Sequence, residues 1–322
     1  MGLLRWLFGP KKTLIAEDND FCVYYSTSHG IEAWSACCIP FEDGPPAAIR
    51  LRGVLQQELD SDKMLAPKPD SFGHAIYASE RECKGDDVEN LATYNIGRWT
   101  SLGAKMRGLR IERQTKILTL PPKPIQNSVH HYWRHFWDHS NSGFLCWRPK
   151  WRNAIKVKVT GLPRSSLFDR LGVWYEVKRG IQASLSRWWG WRSIENAPFA
   201  MRVHVEVPEP MWQGRSIEVK GIADGIAAAL HWQADSDATQ TLVGWIAERL
   251  DVSPQVICEL LRMRKGAVLG QHQALRPWGG KLMVSPRDDL CVALEVGLAL
   301  TSKSSPSLTF CVFGVRNRRR MK

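Results

Sequence analysis

At 322 residues, with 44% apolar and 24% charged side chains, the chain has enough apolar material for a packed core and is not a disordered tail. Its length allows one large domain or two ordinary ones. Lys and Arg number 44 against 32 Asp and Glu, a net charge of +12; with a mean hydropathy of −0.28 this excludes a multispanning helical membrane protein and favours an anionic partner.

The opening apolar run Leu3, Leu4, Trp6, Leu7 and Phe8 is too short for a signal-peptide core, and its charges, Lys11 and Lys12, follow it instead of preceding it. No stretch approaches the roughly 20 apolar residues of a membrane helix. Cysteines at 22, 37, 38, 83, 146, 258, 291 and 311 form no Cys-x-x-Cys pair. They read as reduced thiols of a cytoplasmic protein.

In chain order, alternation predicts a strand over 21–26, helical spacing a helix over 48–59, and a second strand follows over 74–79. Asp86-Asp87-Val88-Glu89-Asn90-Leu91 then enters a helix. Asp87 and Glu89 read either as helix caps or as two oxygen ligands of one Mg²⁺. Residues 1–97 carry 9 basic and 15 acidic side chains, 98–158 carry 13 and 2, and 159–322 carry 22 and 15. The middle segment is therefore the one expected to attract phosphate.

Pro121-Pro122-Lys123-Pro124 interrupts that segment and is the expected domain boundary. Beyond it Val129, Tyr132, Trp133, Phe136 and Trp137 recur at helical spacing, which predicts a helix with a buried stripe. Its opposite face collects His131, His135 and His139, and with Cys146 after a turn these are candidate Zn²⁺ ligands. The spacing matches no standard zinc finger, and contact with phosphate or solvent is the other reading. Trp147, Arg148, Lys150, Trp151 and Arg152, followed by Lys156 and Lys158, interleave aromatic faces with cations, as a nucleic-acid surface requires. Trp188, Trp189 and Trp191, between Arg187 and Arg192, offer further stacking faces.

The second half repeats the order of the first. A strand is predicted over 154–159, a helix over 171–189, an alternating strand over 201–207, and 217–222 enters an apolar helix over 223–230. Two helices then follow over 238–250 and 255–264, joined by Asp251-Val252-Ser253-Pro254. Ala247, Leu250, Val252, Ile257 and Leu260 resemble the apolar frame of a helix-turn-helix, with Asp251 at the left-handed turn position. In that resemblance Gln255 and Arg262 would face a DNA groove; a structural helical hairpin is the other reading. Two apolar β-branched stretches, 290–300 and 307–315, predict a terminal hairpin, and Arg316 to Lys322 forms a basic tail.

The order strand, strand, acidic turn, helix resembles the RusA-type Holliday-junction resolvases. Asp87-Val88-Glu89-Asn90 is similar to their Asp-x-Asp-Asn turn, with Thr93 where a Lys is expected; in the second half, Lys220 stands at an acid's position and Asp224 at the lysine's. The resemblance implies an α/β endonuclease fold, Mg²⁺ held by Asp87 and Glu89, and a second half without activity.

The expectation is thus an α/β or α+β protein of two lobes related by diverged duplication. An N-terminal α/β lobe spans 1–120, a basic Trp/His-rich connector 121–152, and a C-terminal lobe 153–322 carrying the helical hairpin 238–264. The expected function is binding of DNA or RNA, as a divergent metal-dependent nuclease or its inactive relative. The alternative is a non-enzymatic subunit of a protein assembly that docks through Trp-rich surfaces.

Overall fold

The computed structural model describes residues 12–27, 30–40, 43–64, 71–80, 87–103, 106–138, 143–150, 154–184, 193–212, 216–234 and 237–317. The fold divides into two compact units, the first comprising Met1–Thr100 and Ala104–Cys146, the second Ser101–Gly103 and Trp147–Lys322. Helices and strands mix in both, as expected. None of the helices among the described residues is long and apolar enough to cross a membrane.

The first unit is built on β1 (Thr13–Glu17), β2 (Phe21–Thr27), β3 (Gly30–Ser35), helix α1 (Pro46–Leu59) and β4 (Phe72–Ser79). After the two-residue strand β5 (Ser101–Leu102), which belongs to the second unit, come β6 (Gly108–Gln114) and β7 (His131–Asp138). Helix α1 opens on Pro46 at its first turn and buries Leu51, Leu55 and Leu59, one side chain per turn. The sheet order is β1-β2-β3-β7-β4-β6, antiparallel except for the parallel β4–β6 pair.

The segment around Trp133 is a strand and not the expected helix. β7 pairs along its full length with β4 and over most of it with β3, so both of its edges are covered. Both of its faces are covered as well, and a strand so buried shows no apolar–polar alternation; its aromatic residues then mimic a helical stripe. Because this strand is interior to the sheet, 121–146 is part of the first unit, and the chain divides at Cys146/Trp147 instead of at the proline run.

The residues on either side of that proline run cover one sheet face. Tyr24, Trp34, Ala78 and Tyr132 form a buried cluster, packed over by Ile117, Ile125 and Val129. The indole Nε1 of Trp34 donates to the Thr119 carbonyl at 2.8 Å. The same unit holds a buried charge cluster. His74 Nε2 is 2.6 Å from Glu112 Oε1, and its Nδ1 is 3.5 Å from Asp138 Oδ2. Glu112 also accepts from the backbone N–H groups of Leu145 and Cys146, each at 2.7 Å. Burial alone would lower the His74 pKa, but hydrogen bonds to Asp138 and Glu112 outweigh it and hold it above the ordinary histidine value. Burial likewise acts to raise Glu112, and the His74 hydrogen bond overcomes it, so that carboxyl lies below its usual range.

The second unit begins with the short edge strand β8 (Trp147–Pro149) and β9 (Ile155–Thr160), followed by α2 (Arg170–Ala183) and β10 (Phe199–Pro208). Next come α3 (Glu209–Trp212), β11 (Ile217–Glu218), α4 (Val219–Ala229), α5 (Asp237–Leu250) and α6 (Pro254–Arg262). The hairpin β12 (Leu275–Trp278) and β13 (Lys281–Val284) precedes β14 (Cys291–Thr301) and β15 (Ser307–Asn317). Its main sheet runs β14-β10-β15-β9, with β10–β14 parallel and the other two pairs antiparallel. Four strands of the first unit have the same connectivity: β3-α1-β4 then β6-β7, ordered β3-β7-β4-β6 with the same senses, matches β9-α2-β10 then β14-β15.

β14 and β15 are not the expected hairpin, since β10 lies between them. Residues 302–306 cross the roughly 10 Å width of two strand spacings, which five extended residues easily span. The helical hairpin does form. Asp251 takes φ +53°, and Ser253 caps α6 by accepting from Val256 N. Ile246, Ala247, Ile257 and Leu260 are buried.

Lys178 on α2 is buried, and its Nζ donates to the carbonyls of His231, just past α4, at 2.8 Å and of Met263, at the end of α6, at 3.5 Å. Its cation thus sits at the negative ends of two helices. Burial pushes its pKa down to about 7.

Two stability predictions come from these buried charges. His74→Ala leaves the Glu112 carboxylate enclosed without its cation and should lower the unfolding free energy by about 3–5 kcal/mol in denaturant melts; a loss below about 1 kcal/mol, the range of a surface pair, would contradict the reading. The raised His74 value makes its contribution full at acid pH and lost as pH climbs through the folded value. Lys178 behaves oppositely: between its folded value of about 7 and the ordinary 10.5 the unfolded chain binds the extra proton, so stability rises with pH. Relative to Lys178→Met, the wild type should gain up to about 1.4 kcal/mol per pH unit over that window. A flat or falling difference would contradict it.

Candidate nucleic-acid interface

β9 reads Ile-Lys-Val-Lys-Val-Thr, and its burial alternates strictly: Ile155, Val157 and Val159 are inside, whereas Lys156, Lys158 and Thr160 are exposed. Helix α2 covers the inner face, so closely at Gly180 that a Cβ there would lie 2.6 Å from Val159 Cγ2. α4 packs on α2 with equal closeness, where Gly225 faces Val173.

The outer face follows from the register. Lys156 aligns with Cys311, Arg202 and Glu295 across the four strands, and Lys158 with Thr309, His204 and Gly297. The next row is Thr160, Ser307, Glu206 and Ala299. Same-face neighbours along a strand stand roughly 6.7 Å apart and adjacent strands about 4.8 Å apart. Lys156, Lys158, Arg202 and His204 are all exposed. Two acids on this face are already engaged. Glu295 lies 3.6 Å from Arg202, and Glu206 accepts from Lys303 and Ser307, each at 2.7 Å. The Lys303 hydrogen bond, with Ser307 adding to it, holds Glu206 down to about 2. Neither Lys156 nor Lys158 has an ion-pair partner within 4 Å among the described residues, and they give the face its unbalanced charge.

The remaining expected contacts divide. Arg148 is exposed on β8 directly opposite Arg316 on β15, an edge pair of like charge, and Lys150 beside it is exposed. Trp147 is 4% exposed; it belongs to the core and offers no stacking face. Trp151, Arg152, Trp188, Trp189 and Trp191 lie outside the described residues. Gln255 and Arg262 occupy the exposed side of α6, where Gln255 Nε2 donates to Glu259 Oε1 at 3.3 Å.

Among the described residues the expected zinc ligands are not brought together. Once 131–138 is a strand, His131 and His135 both point to the face that carries Tyr77 and the 88–96 helical turns. His131 Nδ1 is 2.8 Å from the Tyr77 hydroxyl, and His135 Nε2 donates to the Ala92 carbonyl at 2.8 Å. Burial drives His135 down to about 4, so its ring is neutral. Cys146 sits beside Glu112, with Gln114 Nε2 2.8 Å from its sulfur. His139 lies outside the described residues.

Asp87 and Glu89 begin the helical turns before β6. Asp87 accepts from the backbone N–H of Asn90 at 2.8 Å and from its side-chain amide at 3.1 Å, which is the capping arrangement. Glu89 is 1% exposed. In the matching frame of the second unit, Asp224 lies 2.9 Å from Arg170 and 3.2 Å from Lys220. Lys220 thus neutralises the acid one turn on.

Comparison with protein families, with curated proteins and with solved structures found no match to this chain. Arg202 and His204 are the site residues that sequence reasoning did not single out. They lie on a strand that alternation predicts correctly, but only the register places them on the same face and in the same rows as Lys156 and Lys158.

Proposed function

We propose that this chain binds nucleic acid through the face of its second sheet that carries Lys156, Lys158, Arg202 and His204. The observation that carries the reading is the set of exposed side chains Lys156, Lys158, Arg202 and His204, in two adjacent rows of a face whose acids are already paired. A surface of this kind neutralises phosphates and releases their counterions. The likeness of strand order and sense between the units supports the further reading that they are diverged copies, each related to the resolvase frame.

In this reading the activity is binding and not cleavage. Capping of Asn90 by Asp87 and the salt bridges at Asp224 give these acids structural roles in this reading. DNA and RNA strands meet the face through the same phosphate chemistry. The rival, a subunit that docks on protein, loses part of its basis where Trp34, Trp133, Trp147 and Trp174 fill the interior.

Salt titration separates the two. Replacing Lys156, Lys158 and Arg202 by Gln should flatten the slope of log K against log salt by roughly 0.7–0.9 for each phosphate that is no longer neutralised. Mg²⁺ should produce no strand scission by the wild type. An unchanged slope in the folded variant, or wild-type association that ignores salt, would contradict the reading.

A further inference from the structure

One basic feature of the second unit lies apart from the open sheet face. β12 and β13 pair through a two-residue turn, Gly279-Gly280, with φ of +55° and +73°, the left-handed conformation such a hairpin turn demands. Register places Arg276, Trp278, Lys281 and Met283 on one face of the hairpin, and Leu275, which is buried, with Leu282 and Val284 on the other. The outward face is therefore two cations around an indole. Trp278 is 68% exposed, while Trp34, Trp133, Trp147 and Trp174 are all under 5% exposed. The Arg276 guanidinium lies over its ring, 5.8 Å from the centroid.

This hairpin forms one wall of a groove of about 510 Å³, whose other wall carries Arg170 at the start of α2 and Arg249 at the end of α5. That volume falls within the range of small-ligand sites. Two acids line it as well: Asp169 is 3.1 Å from Arg249, and Glu218 is 3.8 Å from Arg170. Lys281 has no ion-pair partner among the described residues, so that Arg170, Arg249 and Lys281 against Asp169 and Glu218 leave the groove an excess of positive charge. A flat apolar face beside the uncompensated Lys281 suits a ligand that has an aromatic ring at one end and a phosphate at the other. A base stacked within a duplex has no free face to offer, so the ring must be unpaired.

We propose that this groove holds a single unpaired nucleotide, its base stacked on Trp278 and its phosphate against Lys281. The inference rests on the nucleic-acid reading above and adds to it a preference for strands with exposed bases. The sheet face supplies charge, and the groove distinguishes a based strand from a bare phosphate backbone.

The test measures fluorescence anisotropy of the full chain with three end-labelled probes of equal length: an oligothymidine strand, the same strand made abasic, and a blunt duplex. Wild type should hold the oligothymidine strand roughly tenfold or more tighter than the abasic one, the factor expected for one stacked base. Trp278→Ala should bring the two strands to equal affinity without changing the abasic value, and Trp278→Phe should retain most of the difference. Because Trp278 is exposed, neither substitution disturbs the core. Strands bound without any preference for bases, or a preference untouched by Trp278→Ala, would overturn the groove while leaving the sheet face intact. Failure of all three probes to bind would overturn both readings. Tight, Trp278-dependent binding of an oligoglutamate peptide, with no such dependence for the strands, would assign the groove to a protein partner and overturn the proposal.

Discussion

Strand alternation on a sheet that is covered by helices from one side sorts the side chains of β9 and of the middle of β10 into interior or surface. In the second unit α2 takes the side lined by Val157, Val159, Val203 and Phe310, so the intervening Lys156, Lys158, Arg202 and His204 have water in front of them. The first unit has the same strand order, but a different fate for the corresponding face. There the segment carrying Ile117 and Ile125 lies over Trp34 and Tyr132, and that face is interior. One topology thus provides a closed face and an open one, and the difference is the sixteen-residue stretch between β6 and β7.

Covering a sheet face that carries charges requires their compensation. Residues 98–158 contain only two acids, Glu112 and Asp138, and both reach His74. Arg110, 1% exposed, lies over the Phe72 ring at 4.4 Å and within 3.9 Å of Asp138. The basic excess of that segment is therefore split: Arg110 is enclosed in the first unit's interior, while Arg148, Lys150, Lys156 and Lys158 are exposed in the second unit. A charge count along the chain measures both groups and cannot separate them.

The elements legible in the sequence are those whose local pattern agrees with their environment. β2, α1, β4, β9 and β10 can be read from periodicity alone, and the connection at Asp251 is readable because few residues other than Gly, Asn and Asp tolerate its backbone. β7 reads as a helix because burial on both faces erases the period-two signal. β6 escapes prediction because Arg110 and Glu112, which suggest a surface, are buried only by virtue of His74 and Asp138 from distant positions. The terminal hairpin fails for a similar reason: two strands adjacent in sequence are separated by a third whose pairing is nonlocal. Of the candidate site, Lys156 and Lys158 are legible from alternation, whereas nothing local marks Trp147 as core, since its pairing with Asn317 spans most of the second unit's sequence. Trp278 carries little signal in a charge profile although Trp-Gly-Gly-Lys is a readable turn, because a lone indole at a hairpin tip belongs to no dense basic run.

The most direct measurement is a lysine footprint that alters no residue. The full chain is acetylated briefly at low reagent, alone and with a saturating oligothymidine strand, and each lysine's modification is read by mass spectrometry. Phosphate contact at the open sheet face predicts strong protection of Lys156 and Lys158, with Lys116 and Lys123, both exposed in the first unit, unchanged. Equal reactivity of Lys156 and Lys158 with and without the strand, while binding is otherwise saturated, would contradict it.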